Sequence, residues 1–154
     1  MRIDYDRFSY GYRLENQIYL ILKRARGGAC HDDLFSTILF KDVVRHAVGL
    51  NNANAIDQVL EGIVYMELKR RGYDVHVGKV GDKEIDFIAR RGDTVSYYQV
   101  TYLLGSQQTV DREFGVFDAV QDNWPKYVLS MDEFPQTHNG IYGMNIIDWL
   151  LDVD

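Results

Sequence analysis

Between residues 55 and 71, Ile56, Leu60, Ile63, Val64 and Leu68 recur at three- and four-residue intervals, the stripe of an amphipathic helix. Asn54 precedes the stripe as a candidate N-cap, Lys69, Arg70 and Arg71 suit the negative end of the helix dipole, and Gly72 suits the position just past it. The period then changes. Three β-prone runs follow, at about 73–79, 84–90 and 94–103, and the Gly81-Asp82 and Gly92-Asp93 pairs between them predict an antiparallel meander. A helix is predicted over 107–121, with Val110, Phe114, Phe117 and Val120 on one side. Tyr127 to Ser130 and Gly140 to Ile146 read as short strands, and Ile147 to Leu151 as a terminal helical turn. Upstream, Leu14, Ile18, Ile21 and Leu22 predict a helix over 11–26 that Arg26-Gly27-Gly28 stops. Leu34 to Phe40 is β-prone, Lys41 to Val48 a short helix, and Asn51-Asn52-Ala53-Asn54 a polar break.

From residue 55 the order is αβββαβ with one further strand, which implies an α/β fold: a mixed sheet with helices on both faces. Residues 1–50 read as an N-terminal extension and 51–154 as the domain proper. With 154 residues, 46% of them hydrophobic, the chain can bury a real core. A lone cysteine, Cys30, makes no intramolecular disulfide and fits a reducing compartment. No apolar run approaches the ~18 residues that cross a bilayer, and Met1 to Asp6 has no apolar signal region, so a cytoplasmic protein away from membranes is expected.

The net charge of -6 opposes general nucleic-acid affinity, which rests on neutralising phosphates. Its distribution is uneven. From Lys69 to Arg91 there are seven basic residues against Asp74, Asp82, Glu84 and Asp86, whereas from Asp111 to Asp154 only Arg112 and Lys126 face nine carboxylates. Lys69, Arg70, Lys79 and Lys83 are therefore the candidate phosphate contacts, although a solvated helix end and strand turns give the same pattern.

Strand alternation puts Asp86 on one face with Glu84 and Ile88, and Gln99 on one face with Thr101. If the two strands pair with Asp86 opposite Gln99, a carboxylate and an amide oxygen converge, and Glu61 sits at the edge of its helix's apolar stripe. Phosphodiester hydrolysis needs a hard cation held by oxygen ligands, and Asp86, the Gln99 amide, the Val100 carbonyl and an outer Glu61 are a candidate set for Mg²⁺ or Mn²⁺. A lysine normally orients the water; Thr101 stands in its place, and losing one such electrostatic contact costs roughly 10²–10³ in rate. Lys83 is the candidate stand-in, although its odd separation from Asp86 puts it on the other face of a regular strand. Bland alternatives stand beside each: Asp86 as a solvated strand residue, Glu61 as a surface group, Gln99 as a satisfied buried amide. Cys30-His31-Asp32-Asp33 has no second cluster to complete a metal shell, and His46, His76 and His138 are scattered. Tyr65, Tyr73, Tyr97, Tyr98 and Tyr102 could stack on unpaired bases near the basic cluster, or simply pack.

Glu61, Glu84-Ile85-Asp86-Phe87 and Gln99-Val100-Thr101 together resemble a degenerate PD-(D/E)XK, restriction-endonuclease-like site. More closely, Leu60 to Leu68, Arg71 to Val75, Val77-Gly78-Lys79 and Asp82 to Phe87 resemble the uncharacterised C-terminal domain of bacterial and archaeal AAA-type ATPases. Arg112-Glu113-Phe114, Asn123 to Leu129 and Asn145 to Leu151 fit the same pattern. The likeness extends over about 55–151, and 11–50 resembles more loosely the segment between ATPase and domain.

The resemblance implies a nuclease-like fold at the end of an ATP-driven machine, with Glu61, Asp86 and Gln99 at the site positions and Thr101 at the lysine position. No Gly-x-x-x-x-Gly-Lys-Ser/Thr loop is present, so the ATPase is expected elsewhere: in a separate subunit, or in a region of the same protein of which this chain is a fragment or remnant. Three functions follow: a non-catalytic module binding nucleic acid or a protein partner; an active metal-dependent nuclease relying on Lys83; or a docking domain acting through acidic residues such as Asp132 and Glu133.

Overall fold

The computed structural model describes residues 53–152, so the extension predicted over 1–50, with Cys30, His31 and His46, lies outside the described residues. The chain divides into two units, Met1–Met66 and Glu67–Asp154. Helix α1 (Ala53–Arg70) starts in the first and ends in the second. Asn54, expected as the N-cap, lies within the helix, which is described from Ala53. Ile56, Leu60, Ile63, Val64 and Leu68 are all buried, as their spacing predicts. The helix closes where expected: Gly72 at φ 82° donates to the Lys69 carbonyl and Tyr73 to the Leu68 carbonyl, both at 3.0 Å. These two bonds satisfy carbonyls the helix end would orphan, and a left-handed φ is what only glycine adopts without strain.

Strands β1 (Asp74–Val80), β2 (Lys83–Arg91) and β3 (Thr94–Val100) form the antiparallel meander, turning at Gly81-Asp82 and Gly92-Asp93. Helix α2 (Gln107–Gly115) is capped by the Ser106 hydroxyl, which accepts from the Thr109 amide. The single helix predicted over 107–121 is shorter. It ends at Gly115 and tightens into a 3₁₀ turn, Val116–Ala119, which buries Val116 and Phe117 beside Phe114. β3 likewise ends at Val100, short of residue 103, because the chain beyond it swings to Asp132, whose carboxylate accepts from the Leu104 amide at 2.8 Å.

β4 (Lys126–Ser130) runs parallel to β3, β5 (Tyr142–Asn145) parallel to β4, and α3 (Ile146–Leu151) follows at once, capped by Asn145. The strands thus lie in chain order in one mixed five-stranded sheet. Adjacent strand residues point to opposite faces. Tyr97 meets Phe117 edge-on at 6.5 Å, and Tyr98 meets Trp149 at 5.7 Å, so α2 with its 3₁₀ turn covers one face and α3 the other. Ile85, Phe114, Val116, Phe117, Val128 and Ile141 form the core beneath α2. Among the described residues no helix is long and apolar enough to cross a membrane.

Glu67, buried to 5% exposure, anchors the start of the second unit. Its carboxylate accepts from Arg70 Nε and Nη2 at 2.7 Å and from Arg71 Nε at 2.8 Å. Arg71 Nη2 reaches the Trp149 carbonyl at 2.6 Å, and its guanidinium lies 4.6 Å from the Trp149 ring, tying the end of α1 to α3. Burial pushes the Glu67 carboxyl upward, but the two guanidinium groups outweigh it and hold the group below its ordinary 4.5. A depressed folded-state value stabilises above the ordinary value, and that gain is lost as pH falls through the folded one. Glu67→Gln is expected to cost about 3 kcal/mol at pH 7 and progressively less as pH drops below 4.5, measured by urea unfolding at several pH values. An equal penalty at pH 7 and pH 3 would contradict the ion-pair account.

Candidate functional site

Asp86 and Gln99 meet at an irregularity in the sheet, through the Asp86 backbone amide and the Gln99 side chain. Between β1 and β2 the register runs His76↔Ile88 and then Gly78↔Ile85, so the single Val77 faces two residues, Asp86 and Phe87. This is a β-bulge, a feature that re-aims side chains. Regular alternation therefore fails across it: Ile85 and Ile88, expected on opposite faces, share one apolar cluster. Gly78 makes room for them, since a Cβ there would stand 2.8 Å from Ile88 Cδ1 and 3.0 Å from Ile85 Cβ.

On the other edge of β2, pairing with β3 stops at Phe87↔Tyr98. β3 continues beside β4 through Gln99↔Val128 and Val100↔Leu129, so the sheet forks at Asp86. Side chains take over where the ladder ends. The Asp86 carboxylate accepts from the Val100 amide at 2.7 Å, and the Gln99 amide oxygen accepts from the Asp86 amide at 3.3 Å. Both groups are half-buried.

The remaining expected site residues are placed as follows. Thr101 is buried, and its amide donates to the Leu129 carbonyl at 3.0 Å. Lys83 sends its ammonium to the Gly115 carbonyl at 2.9 Å, where it meets the negative end of α2. Glu61 is half-buried on α1 in the first unit, whereas Asp86 and Gln99 belong to the second. Arg70 is held by Glu67, while Lys69 and Lys79 are exposed, the latter on edge strand β1. Asp132 works inside the fold: besides the Leu104 amide it accepts from the Ser130 hydroxyl at 2.8 Å, leaving Glu133 as the exposed member of that acidic pair. His76 pairs with Asp74 at the surface, and His138 packs on the Phe114 ring.

Asp86 and Gln99 contribute one carboxylate and one neutral amide oxygen, each accepting a backbone N–H, and these two side chains alone fall short of the several oxygen ligands a resident Mg²⁺ or Mn²⁺ requires. Among the described residues no three His, Cys, Asp or Glu side chains form a metal-holding group, and no buried side-chain polar atom lacks a partner.

A second concavity lies toward the opposite end of β3, on the face covered by α3. It is a cleft of about 280 Å³ whose lining includes Arg71, Tyr73, Tyr98, Trp124, Tyr127 and Trp149. Tyr98, Tyr127 and Tyr142 hold one register across β3, β4 and β5, and stack at 5.1 and 5.6 Å. Burial pushes the Tyr98 phenol up to about 12. Trp124 stays 40% exposed on a loop fastened by Asp122, which accepts from the Tyr97 hydroxyl at 2.6 Å, the Lys126 ammonium at 2.9 Å and the Trp124 amide at 3.1 Å. Burial and the Asp122 carboxylate together push the Tyr97 phenol up to about 12. Reading the sequence raised Tyr73 and Tyr98 as stacking groups but missed Trp124, Tyr127 and Trp149. Their grouping depends on strand order, and the one local signal was a tyrosine on each of three successive strands.

No family model matches the chain, and no solved structure matches it. It is 41% identical over 108 residues to an uncharacterized protein of Haemophilus influenzae (strain ATCC 51907 / DSM 11121 / KW20 / Rd), a match covering 70% of this chain and 26% of that protein. The matched stretch thus spans about a quarter of the length of the relative.

If the Asp86 carboxylate serves the backbone, Asp86→Ala leaves the Val100 amide without its acceptor and destabilises by about 1–3 kcal/mol, whereas Asp86→Asn, which keeps an acceptor oxygen, costs distinctly less. Chemical denaturation of the three proteins measures this. Equal stability of the alanine variant and the parent would contradict the role.

Proposed function

We propose that this chain is a degenerate restriction-endonuclease-like module that binds nucleic acid without cleaving it, as an accessory part of an AAA-type ATPase system. The observation that carries the reading is the fork itself. The Asp86 carboxylate is bonded to the Val100 amide; its neighbour Gln99 is neutral; and the position that would hold a lysine in the resembled site is the buried Thr101. Lys83, the cation available as a substitute, is drawn to the Gly115 carbonyl. Such a site lacks the lysine charge that cleavage uses, which disfavours the active-nuclease alternative. The αβββαβ order with a mixed sheet supports a nuclease-like ancestry.

Binding draws on the positive segment rather than on net charge. Lys69, Lys79, Arg90 and Arg91 are exposed, and Arg70 adds a partly exposed guanidinium beside Glu67. Docking through Asp132 is disfavoured, since that carboxylate closes the loop after β3. The ATPase partner rests on the sequence resemblance alone.

Fluorescence anisotropy with a labelled oligonucleotide tests the proposal. At physiological salt a Kd in the range of roughly 10⁻⁴–10⁻⁶ M is expected, with tighter binding at about 50 mM, and Lys69→Glu with Lys79→Glu should raise the Kd. Incubation with Mg²⁺ or Mn²⁺ should leave the strand intact. Cleavage above background that disappears in Asp86→Asn, or no binding at low salt, would overturn the reading.

A further inference from the structure

We infer that the aromatic cleft beside α3 is a pocket for an unpaired nucleobase, with Arg91 at its rim for the adjoining phosphate. The inference rests on the nucleic-acid-binding reading and adds to it where the strand is held and which part of it is recognised.

The cleft is built for a flat ring. Tyr98 lines it, buried, stacked on Tyr127 (5.1 Å, planes 16° apart) and edge-to-face with Trp149 (5.7 Å). One side is Tyr73 and another is Trp124, whose indole is kept in solvent by a loop that Asp122 holds at three points. A partly exposed aromatic on a fastened loop at the cleft is already in place to stack on a bound ring.

Charge narrows the class of ligand. The Arg71 guanidinium lies against Trp149, and Arg91 lies over Tyr73 at 4.7 Å, so both cations face the rings that line the cleft. Cationic ligands such as quaternary ammonium groups, which aromatic cages otherwise favour, are repelled here. Arg71 is held by Glu67 and by the carbonyls of Trp149 and Asp152. Arg91 makes one long bond, 3.4 Å, to the Arg71 carbonyl and is otherwise exposed, which leaves its charge available to an anion. Asp152 also lines the cleft, and with Thr94 and Ser96 it supplies polar atoms. A ring with polar edges on an anionic backbone meets all of these requirements; a purely apolar chain meets only the first. Stacking of this kind tolerates any base.

The 154-residue chain offers a direct readout, because its two tryptophans, Trp124 and Trp149, both line the cleft. Ten-nucleotide thymidine single strands and abasic strands of equal length and charge are titrated at low salt, following anisotropy and tryptophan emission. The base-bearing strand should bind roughly five- to 100-fold more tightly than the abasic one and quench the emission. Trp124→Ala should remove most of that difference, and Tyr73→Phe, which keeps the ring, should preserve it. Equal affinities for the two strands, or binding without quenching, would overturn the pocket and leave phosphate binding standing. Failure of both strands to bind a folded chain would remove the nucleic-acid reading and the pocket with it.

Discussion

Where β2 parts from β3, the backbone ladder stops and two amides need new acceptors. Asp86 and Gln99 supply them, one with a carboxylate and one with an amide oxygen. An amide donating to a charged oxygen is worth about 1.5–3 kcal/mol, and leaving it unpaired costs a similar amount. Around this exchange the rest of the second unit is arranged. The bulge opposite Val77 lets β2 bend away, Gly78 admits the two isoleucines that fill the bend, and β3 is released to extend the sheet through β4 and β5. The same polar atoms that would make a catalytic centre are thereby the atoms that hold the fork together.

Much of this was legible in the sequence because local rules govern it. A two-residue turn fixes hairpin register, and with Gly92-Asp93 as the turn the β2–β3 pairs run as far as Phe87↔Tyr98, one step short of Asp86 and Gln99. The stripe of α1, its closure at Gly72 and the order of the later strands follow from spacing and from turn chemistry in the same way. Three features were not legible, each for a non-local reason. The bulge depends on β1 facing β2 with one residue fewer, which no alternation in β2 reveals. The early end of α2 reflects Gly115, where the helix gives way to a 3₁₀ turn that seats Phe117 against Tyr97. Asp132 looked like a surface acid until the loop after β3 came to rest on it.

The two ends of β3 carry different chemistry. At one end, Gln99 and Val100 face Asp86 across the fork; toward the other, Ser96 and Tyr98 belong to the aromatic cleft. β3 thus joins the fork at one end and an aromatic, cation-flanked cleft at the other. On this account the negative net charge of the chain limits affinity without preventing it. The cations are grouped between Lys69 and Arg91, Glu67 and Asp122 are engaged in internal bonds, and Asp152 is, among the described residues, the one carboxylate in the lining of the cleft.

The central claim is that the fork holds strands and not a metal ion. Mn²⁺ titrated into isotopically labelled protein and followed by NMR tests it most directly, since a bound paramagnetic ion broadens the nearest amides first. The account predicts that the Asp86, Gln99 and Val100 amides broaden no more than those of other acidic surface positions at millimolar Mn²⁺. Selective loss of those three signals at low Mn²⁺, abolished by Asp86→Asn, would contradict it.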